Sequence, residues 1–381
     1  MRFSDVIGKS WDDNRLFSVL VELTYACNLN CFFCYNDLGL RGRPLTTEQH
    51  LQLFDDLAEM HVFQLVLTGG EPLAHPDFFR LGARARELGF VVRLKTNGHA
   101  LDPARARRVR DEIDPFMVET SLHGARAQTH DQQTRVAGSF DTLLANLRSA
   151  REIGLRLRLN ATLTRWNENE VEEMLDLGAE LGVPLHIDPI VTPRDDGDQS
   201  PLEISPSAES VRRLLELQRD RGRQAAAAEA DDQESVQTFD VGRQADDLLP
   251  RHAPKKHCGA GSGGVAIDPM GNVFPCVQWR RPVGNLHEQS IREIWLGSEA
   301  LDEVRDATEQ VKEKLSGLGA WGSRLNFCPG SATQETGSPL GIYDSARRRA
   351  DAATSILDEP PPTSQEDPER PARRPLLPVV G

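Results

Sequence analysis

The stretch Ser18-Val-Leu-Val-Glu-Leu-Thr-Tyr-Ala-Cys27-Asn-Leu-Asn-Cys31-Phe-Phe-Cys34-Tyr-Asn36 decides the fold. Its opening, Ser18 to Thr24, is mostly β-branched or apolar and reads as a strand, so the three cysteines that follow ride on the loop at the strand's C-terminal end. Working outward, the same kind of run recurs at Phe63 to Gly69, Val91 to Asn97, Phe116 to Leu122, Leu155 to Thr164 and Pro184 to Ile190. Between the runs lie amphipathic stretches of helix length. One is Thr47 to Met60, opened by an N-cap threonine, and another is Phe78 to Leu88, closed by Gly89. Strand alternating with helix is the signature of a parallel sheet, and six such units predict an α/β fold, a partial (β/α)6 TIM-type barrel whose site lies at the strands' C-terminal ends.

The alternation stops after Ile190, where TPRDDGDQSP reads as a loop. The reading that follows is a lead-in over 1–15, the barrel over 16–195, a helical connector over 196–254, a small α+β, cysteine-bearing C-terminal domain over 255–340, and a Pro- and charge-rich tail over 341–381 expected to be largely disordered. The 381 residues carry 58 acidic against 44 basic side chains, a net charge of -14, which offers no footprint for nucleic acid or an anionic membrane. The N-terminus lacks the apolar core of a signal peptide and no run approaches a membrane span, so the chain is read as cytoplasmic.

Six cysteines fall into two groups, Cys27, Cys31 and Cys34 early and Cys258, Cys276 and Cys328 late. Odd-numbered clusters in a chain of this size favour metal ligation over disulfides. Zinc wants four closed ligands, and the first loop offers neither a fourth cysteine nor a histidine. A [4Fe-4S] cluster with three thiolates leaves one iron free to bind a substrate. In the second group, CGAGSGGVAIDPMGNVFPC reads as a short hairpin turning at Asp268 to Gly271, with a helix in SIREIWLGSEALDEV and Cys328 beyond it. A Cys3His zinc site remains the alternative for this group. Gly259, Gly261 and Gly264 also fit G-x-G-x-x-G, but no strand precedes them and no helix follows, so a dinucleotide site is not expected.

C-x3-C-x2-C with Phe33 before the last cysteine resembles the signature loop of the radical S-adenosylmethionine (SAM) superfamily. LTGGEP, with Gly69, Gly70, Glu71 and Pro72 ending the second strand 35 residues after Cys34, resembles that family's element receiving the SAM amino group. The resemblance implies a SAM-binding [4Fe-4S] cluster on Cys27, Cys31 and Cys34, whose free iron chelates SAM and whose electron cleaves it to a 5'-deoxyadenosyl radical. It further implies that Ser121 of TSLHG contacts the ribose, that Arg135 of HDQQTR pairs with the carboxylate, and that Asn160 and Ile190 touch SAM. His123 departs from the family's usual SLDG and is a candidate proton carrier at the barrel mouth.

The late cysteines resemble the SPASM or twitch extension of these enzymes. Because the full pattern's final cysteine group is reduced to Cys328, a single auxiliary [4Fe-4S] cluster is implied, with His257 or His287 as possible fourth ligands. The expected substrate is a ribosomally made precursor peptide that is oxidised or cross-linked, helped by a flavodoxin or ferredoxin type electron donor and a separate leader-peptide-binding protein. A small molecule such as an aminosugar, nucleoside or tetrapyrrole is the alternative within enzymes, and iron-sulfur sensing or electron transfer the alternative outside them.

Overall fold

The computed structural model describes residues 3–37, 39–231 and 254–356. All six expected strands form, somewhat shorter than their apolar runs: β1 (Ser18–Glu22), β2 (Gln64–Thr68), β3 (Val91–Thr96), β4 (Met117–Ser121), β5 (Leu157–Thr162) and β6 (Leu185–Asp188). Each pairs in parallel with the next. The lead-in folds as helix α1 (Phe3–Asp12), and the connections carry α2 (Thr47–Glu59), α3 (Phe78–Glu87), α4 (Pro103–Arg108), α5 (Ala127–Thr134), α6 (Ser139–Glu152) and α7 (Val171–Leu181). Thr46 caps α2 with a reciprocal bond from Gln49, one residue ahead of the expected start. Gly89 takes the left-handed conformation that lets the chain leave α3 for β3.

Alternation along the strands sorts the two faces. Val19, Val21, Leu65, Leu67, Val92, Leu94, Val118, Leu157 and Leu159 are buried in one core with the outer helices. The intervening residues face the barrel lumen: Leu20, Val66, Val91 and Met117 are apolar, and Glu22, Gln64, Arg93, Lys95, Glu119, Arg158, Asn160, His186 and Asp188 are polar or charged. A parallel sheet usually buries apolar side chains on both faces. Here Lys95, His186 and Asp188 are exposed and Arg158 and Asn160 half-buried, so the lumen beside β3 to β6 is open to solvent rather than filled by a packed core.

The C-terminal region is joined to the barrel more intimately than a satellite. Its hairpin strands β7 (Gly264–Ile267), β8 (Asn272–Phe274) and β9 (Gly284–Asn285) extend the barrel's own sheet, because β7 pairs in parallel with β1. The sheet order is β6-β5-β4-β3-β2-β1-β7-β8-β9. The first glycine of the dinucleotide-like pattern serves packing instead: a Cβ on Gly259 would meet the Trp11 ring at 2.4 Å, as would one on the neighbouring Gly263, so the missing side chains seat α1 on the hairpin.

The connector's α8 (Ala208–Asp231) follows the barrel, and after the hairpin come α9 (Ile291–Gly297), α10 (Glu299–Gly317), α11 (Gly319–Arg324), α12 (Pro329–Thr336) and α13 (Asp344–Ile356). The last corrects the expectation of disorder from residue 341. Ala346 and Ala350, one turn apart, are buried beside Tyr343, and small side chains at that spacing let α13 lie close on α8 and α11. The Pro-rich composition that suggested disorder belongs to 357–381, outside the described residues, as does 232–253 of the connector. No helix among the described residues is long and apolar enough to cross a membrane.

Candidate active site

The first cysteine loop leaves β1 over the barrel mouth and is clamped from three sides. From β2, the Gly70 N–H donates to the Thr24 carbonyl (2.6 Å), the Glu71 N–H to the Ala26 carbonyl (2.9 Å), and the Gly69 carbonyl accepts from Asn36 Nδ2 (3.3 Å). A Cβ on Gly70 would lie 2.7 Å from the carbonyl oxygens of Tyr25 and Ala26, and Gly69 has φ +143°, so this approach requires both glycines. From α5, the carbonyls of Thr134 and Gln133 accept the Asn30 and Phe32 N–H groups (3.1 Å each). Beyond β6, Arg194 donates to the carbonyls of Phe32 (2.8 Å) and Cys34 (3.1 Å).

Cys27 is exposed while Cys31 and Cys34 are half-buried, and none is in a disulfide. Burial, with the neighbouring thiols adding to it, pushes Cys31 up to about 12 and raises Cys34. Thiols held this way ionise when a cation takes them. Asn97 Nδ2 lies 3.6 Å from Cys27 Sγ and 2.8 Å from Asn28 Oδ1. Among the described residues no three Cys, His, Asp or Glu groups converge on a point suited to one metal ion. A multi-iron cluster spreads its thiolates over separate irons, and three free thiols on one clamped loop fit it better than a closed zinc site.

The other expected residues take varied places. Glu71 is fully buried and accepts from Leu73 N–H (3.0 Å), Thr96 Oγ1 (2.7 Å) and Asn97 N–H (2.8 Å), so its carboxylate holds the end of β3 and is not free for a ligand. Pro72 is buried at the start of a short 3-10 turn. Arg135 ends α5 in the left-handed conformation (φ 57°), its guanidinium 4.8 Å from the Phe32 ring centroid and close enough to Cys31 to favour its thiolate. Ser121 and Asn160 stand opposite each other on β4 and β5, and Asn160 donates to Glu119 (3.1 Å). Ile190 is half-buried past β6, its N–H bonded to Asp188 (3.0 Å).

Phe33 meets the His123 ring edge-on at 4.7 Å. His123 is buried, its carbonyl accepts from Gln133 and Asn167, and its Nδ1 has no partner. Burial lowers its pKa to about 3, so the ring is neutral.

Cys258, Cys276 and Cys328 come together from the segment before β7, the turn after β8 and the start of α12. Burial raises Cys258 to about 11 and Cys276 to about 12, and Cys328 pushes both the same way. Of the two histidines, His287 spends both ring nitrogens on Arg43 and Gln49, which removes it as a ligand. His257 Nε2 bonds the Phe327 carbonyl (2.7 Å), tying the first cysteine segment to the last and leaving Nδ1 over.

A buried ion cluster that no local sequence pattern marks ties the cysteine-bearing hairpin to the barrel. Arg280 donates to Glu22 through Nη2 (2.7 Å) and Nη1 (3.0 Å), and its Nε sits 2.9 Å from Asp195 Oδ2, out of hydrogen-bonding line. Tyr25 donates to the same Glu22 (3.0 Å). One cation thus joins β1, the loop after β6 and the hairpin domain.

Residues 21–178 match the Radical SAM superfamily, and 258–316 match SPASM, an iron-sulfur cluster-binding domain. The AdoMet-dependent heme synthase of Methanosarcina barkeri is 30% identical over 303 residues, 77% of this chain and 85% of that protein. The chain belongs to the radical SAM superfamily. Within it, the mycofactocin maturase MftC of Mycolicibacterium smegmatis is 31% identical over 75% of this chain and 71% of its own length, and the PqqA peptide cyclase of Ruegeria pomeroyi is 30% identical over 90% of each. A solved structure, native anSMEcpe with bound AdoMet, shares the fold with a TM-score of 0.65 at 16% identity, over 90% of this chain and 98% of that one. As a radical SAM enzyme with a SPASM domain, this protein uses SAM and [4Fe-4S] clusters. The expected family, fold and cofactors are therefore borne out.

Proposed function

We propose that Cys27, Cys31 and Cys34 hold the SAM-binding cluster, that Cys258, Cys276 and Cys328 hold one auxiliary cluster, and that the enzyme oxidises or cross-links a ribosomally made precursor peptide. Held by these thiolates, a reduced cluster with SAM would supply the one-electron, hydrogen-abstracting chemistry that acts on an unactivated C–H bond. The observation that carries the reading is the three-sided clamp on the cysteine loop, set above an open polar lumen. Gly69 and Gly70 keep the loop against β2, while Phe33 and the neutral His123 wall one flank against water. Arg135 offers a fixed cation for the SAM carboxylate, and Ser121 with Asn160 offers polar groups on the lumen rim. Similarity to a peptide cyclase along nine tenths of both chains supports a peptide substrate.

A tetrapyrrole is the second reading, favoured by the similarity to a heme synthase. On either reading a flavodoxin or ferredoxin type protein supplies electrons in the cytoplasm, and on the first a leader-peptide-binding protein presents the substrate. Anaerobically reconstituted enzyme given dithionite and SAM should accumulate 5'-deoxyadenosine. Failure to do so points to sensing or electron transfer. Co-expression with a short peptide encoded beside the gene should lower the peptide's mass by lost hydrogen, and an unchanged mass removes the peptide reading.

A further inference from the structure

The lumen wall carries a charge pattern that neither the fold nor the SAM site requires. Strand register places Lys95, Glu119 and Arg158 in one row across β3, β4 and β5. The next row toward the mouth is Ser121, Asn160 and His186, and Asp188 stands opposite Thr162 beyond it. Glu119 is already committed: Arg93 bonds it, Lys95 lies 3.9 Å away, and Asn160 donates to it. Asp188 accepts the Ile190 N–H. Among the described residues neither Arg158 nor Arg349 lies within ion-pair distance of a carboxylate or donates a hydrogen bond. Arg349 belongs to α13, and its field reaches both His186 and Asp188.

Among the described residues, the side of the wall formed by β3 to β6 and α13 thus sets Arg93, Lys95, Arg158 and Arg349 against Glu119 and Asp188, while Glu22 on β1 is taken up by Arg280. The Lys95 side chain stays 45% exposed although surrounding protein lowers its pKa, as fits the wall of an open chamber. Burial is what chiefly lowers the pKa of Lys95 and of His186; Arg93 and Arg158 add to it at Lys95 against the pull of Glu119, and Arg158 and Arg349 add to it at His186 against Asp188 and Glu119, so several cationic groups share one side of the lumen. Such a cluster is relieved by an anion, and a planar guanidinium fork matches a carboxylate.

We propose that the lumen is a carboxylate-binding chamber in which Arg158 and Arg349 take an anionic group of the substrate, backed by Lys95 and His186. The idea rests on the radical SAM reading and narrows its substrate class. Arg158 sits two residues below Asn160 on β5, so a carboxylate anchored there holds the rest of the substrate toward the mouth, where Ser121 and Asn160 stand. It also gives α13 a role: a helix from the far end of the chain contributes a specificity residue to the barrel. The shared chemistry is a carboxylate, supplied either by an acidic peptide side chain or terminus or by a tetrapyrrole propionate.

The test is equilibrium binding to reconstituted holoenzyme with SAM present. One probe pair is a Glu-bearing hexapeptide and its Gln counterpart, and the other is coproporphyrin III and its tetramethyl ester. The proposal expects the carboxylate member of one pair to bind about tenfold or more tightly than its neutral mate, the order of one charge-assisted hydrogen bond. It expects that preference to fall to near unity in R158Q/R349Q and to persist in R158K. Absence of a carboxylate preference in both pairs, or its full retention in R158Q/R349Q, overturns the proposal. Should R158Q not fold, R349Q alone and the two native comparisons decide. Preference for the porphyrin pair only would uphold the chamber while removing the peptide reading, so the two failures remain distinct.

Discussion

Replacing Arg280 with alanine tests how the cysteine-bearing hairpin is locked onto the barrel. The Arg280 side chain is 7% exposed, Glu22 is 0% and Asp195 is 9% exposed, so its removal strands two carboxylates in a site with little water. Glu22 would retain only the Tyr25 hydroxyl at 3.0 Å and would still face Asp195. Breaking a buried pair by deleting one partner costs about 3–5 kcal/mol, whereas replacing the whole set with apolar groups of similar volume is near neutral. Arg280→Ala should therefore destabilise the protein by about 3–5 kcal/mol, and Glu22→Leu/Arg280→Met/Asp195→Leu should recover most of the loss. The assay is urea unfolding followed by fluorescence of the buried Trp279 and Trp295, with the iron content of each variant measured alongside. A loss under about 1 kcal/mol for Arg280→Ala, the scale of an exposed pair, or a triple variant no more stable than the single one, would refute the assignment of this cluster as a buried bridge.

Gly70→Ala forces a methyl group to within 2.7 Å of two carbonyl oxygens of the cysteine loop. It should lower 5'-deoxyadenosine production on the order of a hundredfold, the scale of a displacement of about 1 Å at a reacting centre, with unfolding cooperativity retained. Substituting Cys258, Cys276 and Cys328 together by alanine should remove one cluster's iron while leaving SAM cleavage measurable; loss of all iron would contradict independent sites. Burial lowers His50 and His130 to about 4, below their ordinary value, so stability present above the unfolded value is lost as pH falls toward 4. Each such histidine contributes a slope of up to about 1.4 kcal/mol per pH unit. Asp195 and Glu335, both raised by burial to about 7, pull the opposite way, being stabilising as pH drops below 7. The diagnostic is therefore His50→Asn, whose urea midpoint should vary less steeply between about pH 6.5 and about pH 4 than the native protein's, and an unaltered slope would sink the assignment.

The six strands were legible because each is a short run of apolar or β-branched residues, contiguous or alternating with polar ones, bounded by turn residues, a signal that lies within one window of sequence. The cysteine loop and the GGEP element were legible for a related reason: their chemistry is local, with spacing visible in the chain. What could not be read were partnerships across long separations. Arg194 sits in a loop whose Asp, Gly and Pro content suggested a plain connection, yet it braces the cysteine loop 160 positions away. Arg280 pairs with Glu22 across 258 positions, and no local pattern marks either residue. The α13 helix is masked in composition by the Pro-rich residues that follow it, although Ala346 and Ala350 carry helical spacing.

The lumen illustrates the same divide from the other side. Arg158 alternates with Leu157 and Leu159 and reads as an ordinary polar position on a half-buried strand. Register alone reveals that it shares a row with Lys95 and Glu119, and tertiary packing alone brings the charge of Arg349 within reach of His186. Neighbours in that row cannot all be explained by mutual pairing, since Glu119 is taken up by Arg93, Lys95 and Asn160 and leaves Arg158 over. A fold stabilised only by its own contacts would gain by exchanging Arg158 for a neutral residue, because like charges in a concavity repel. An anion arriving from outside the chain would relieve that repulsion, which is the part proposed here for a substrate carboxylate.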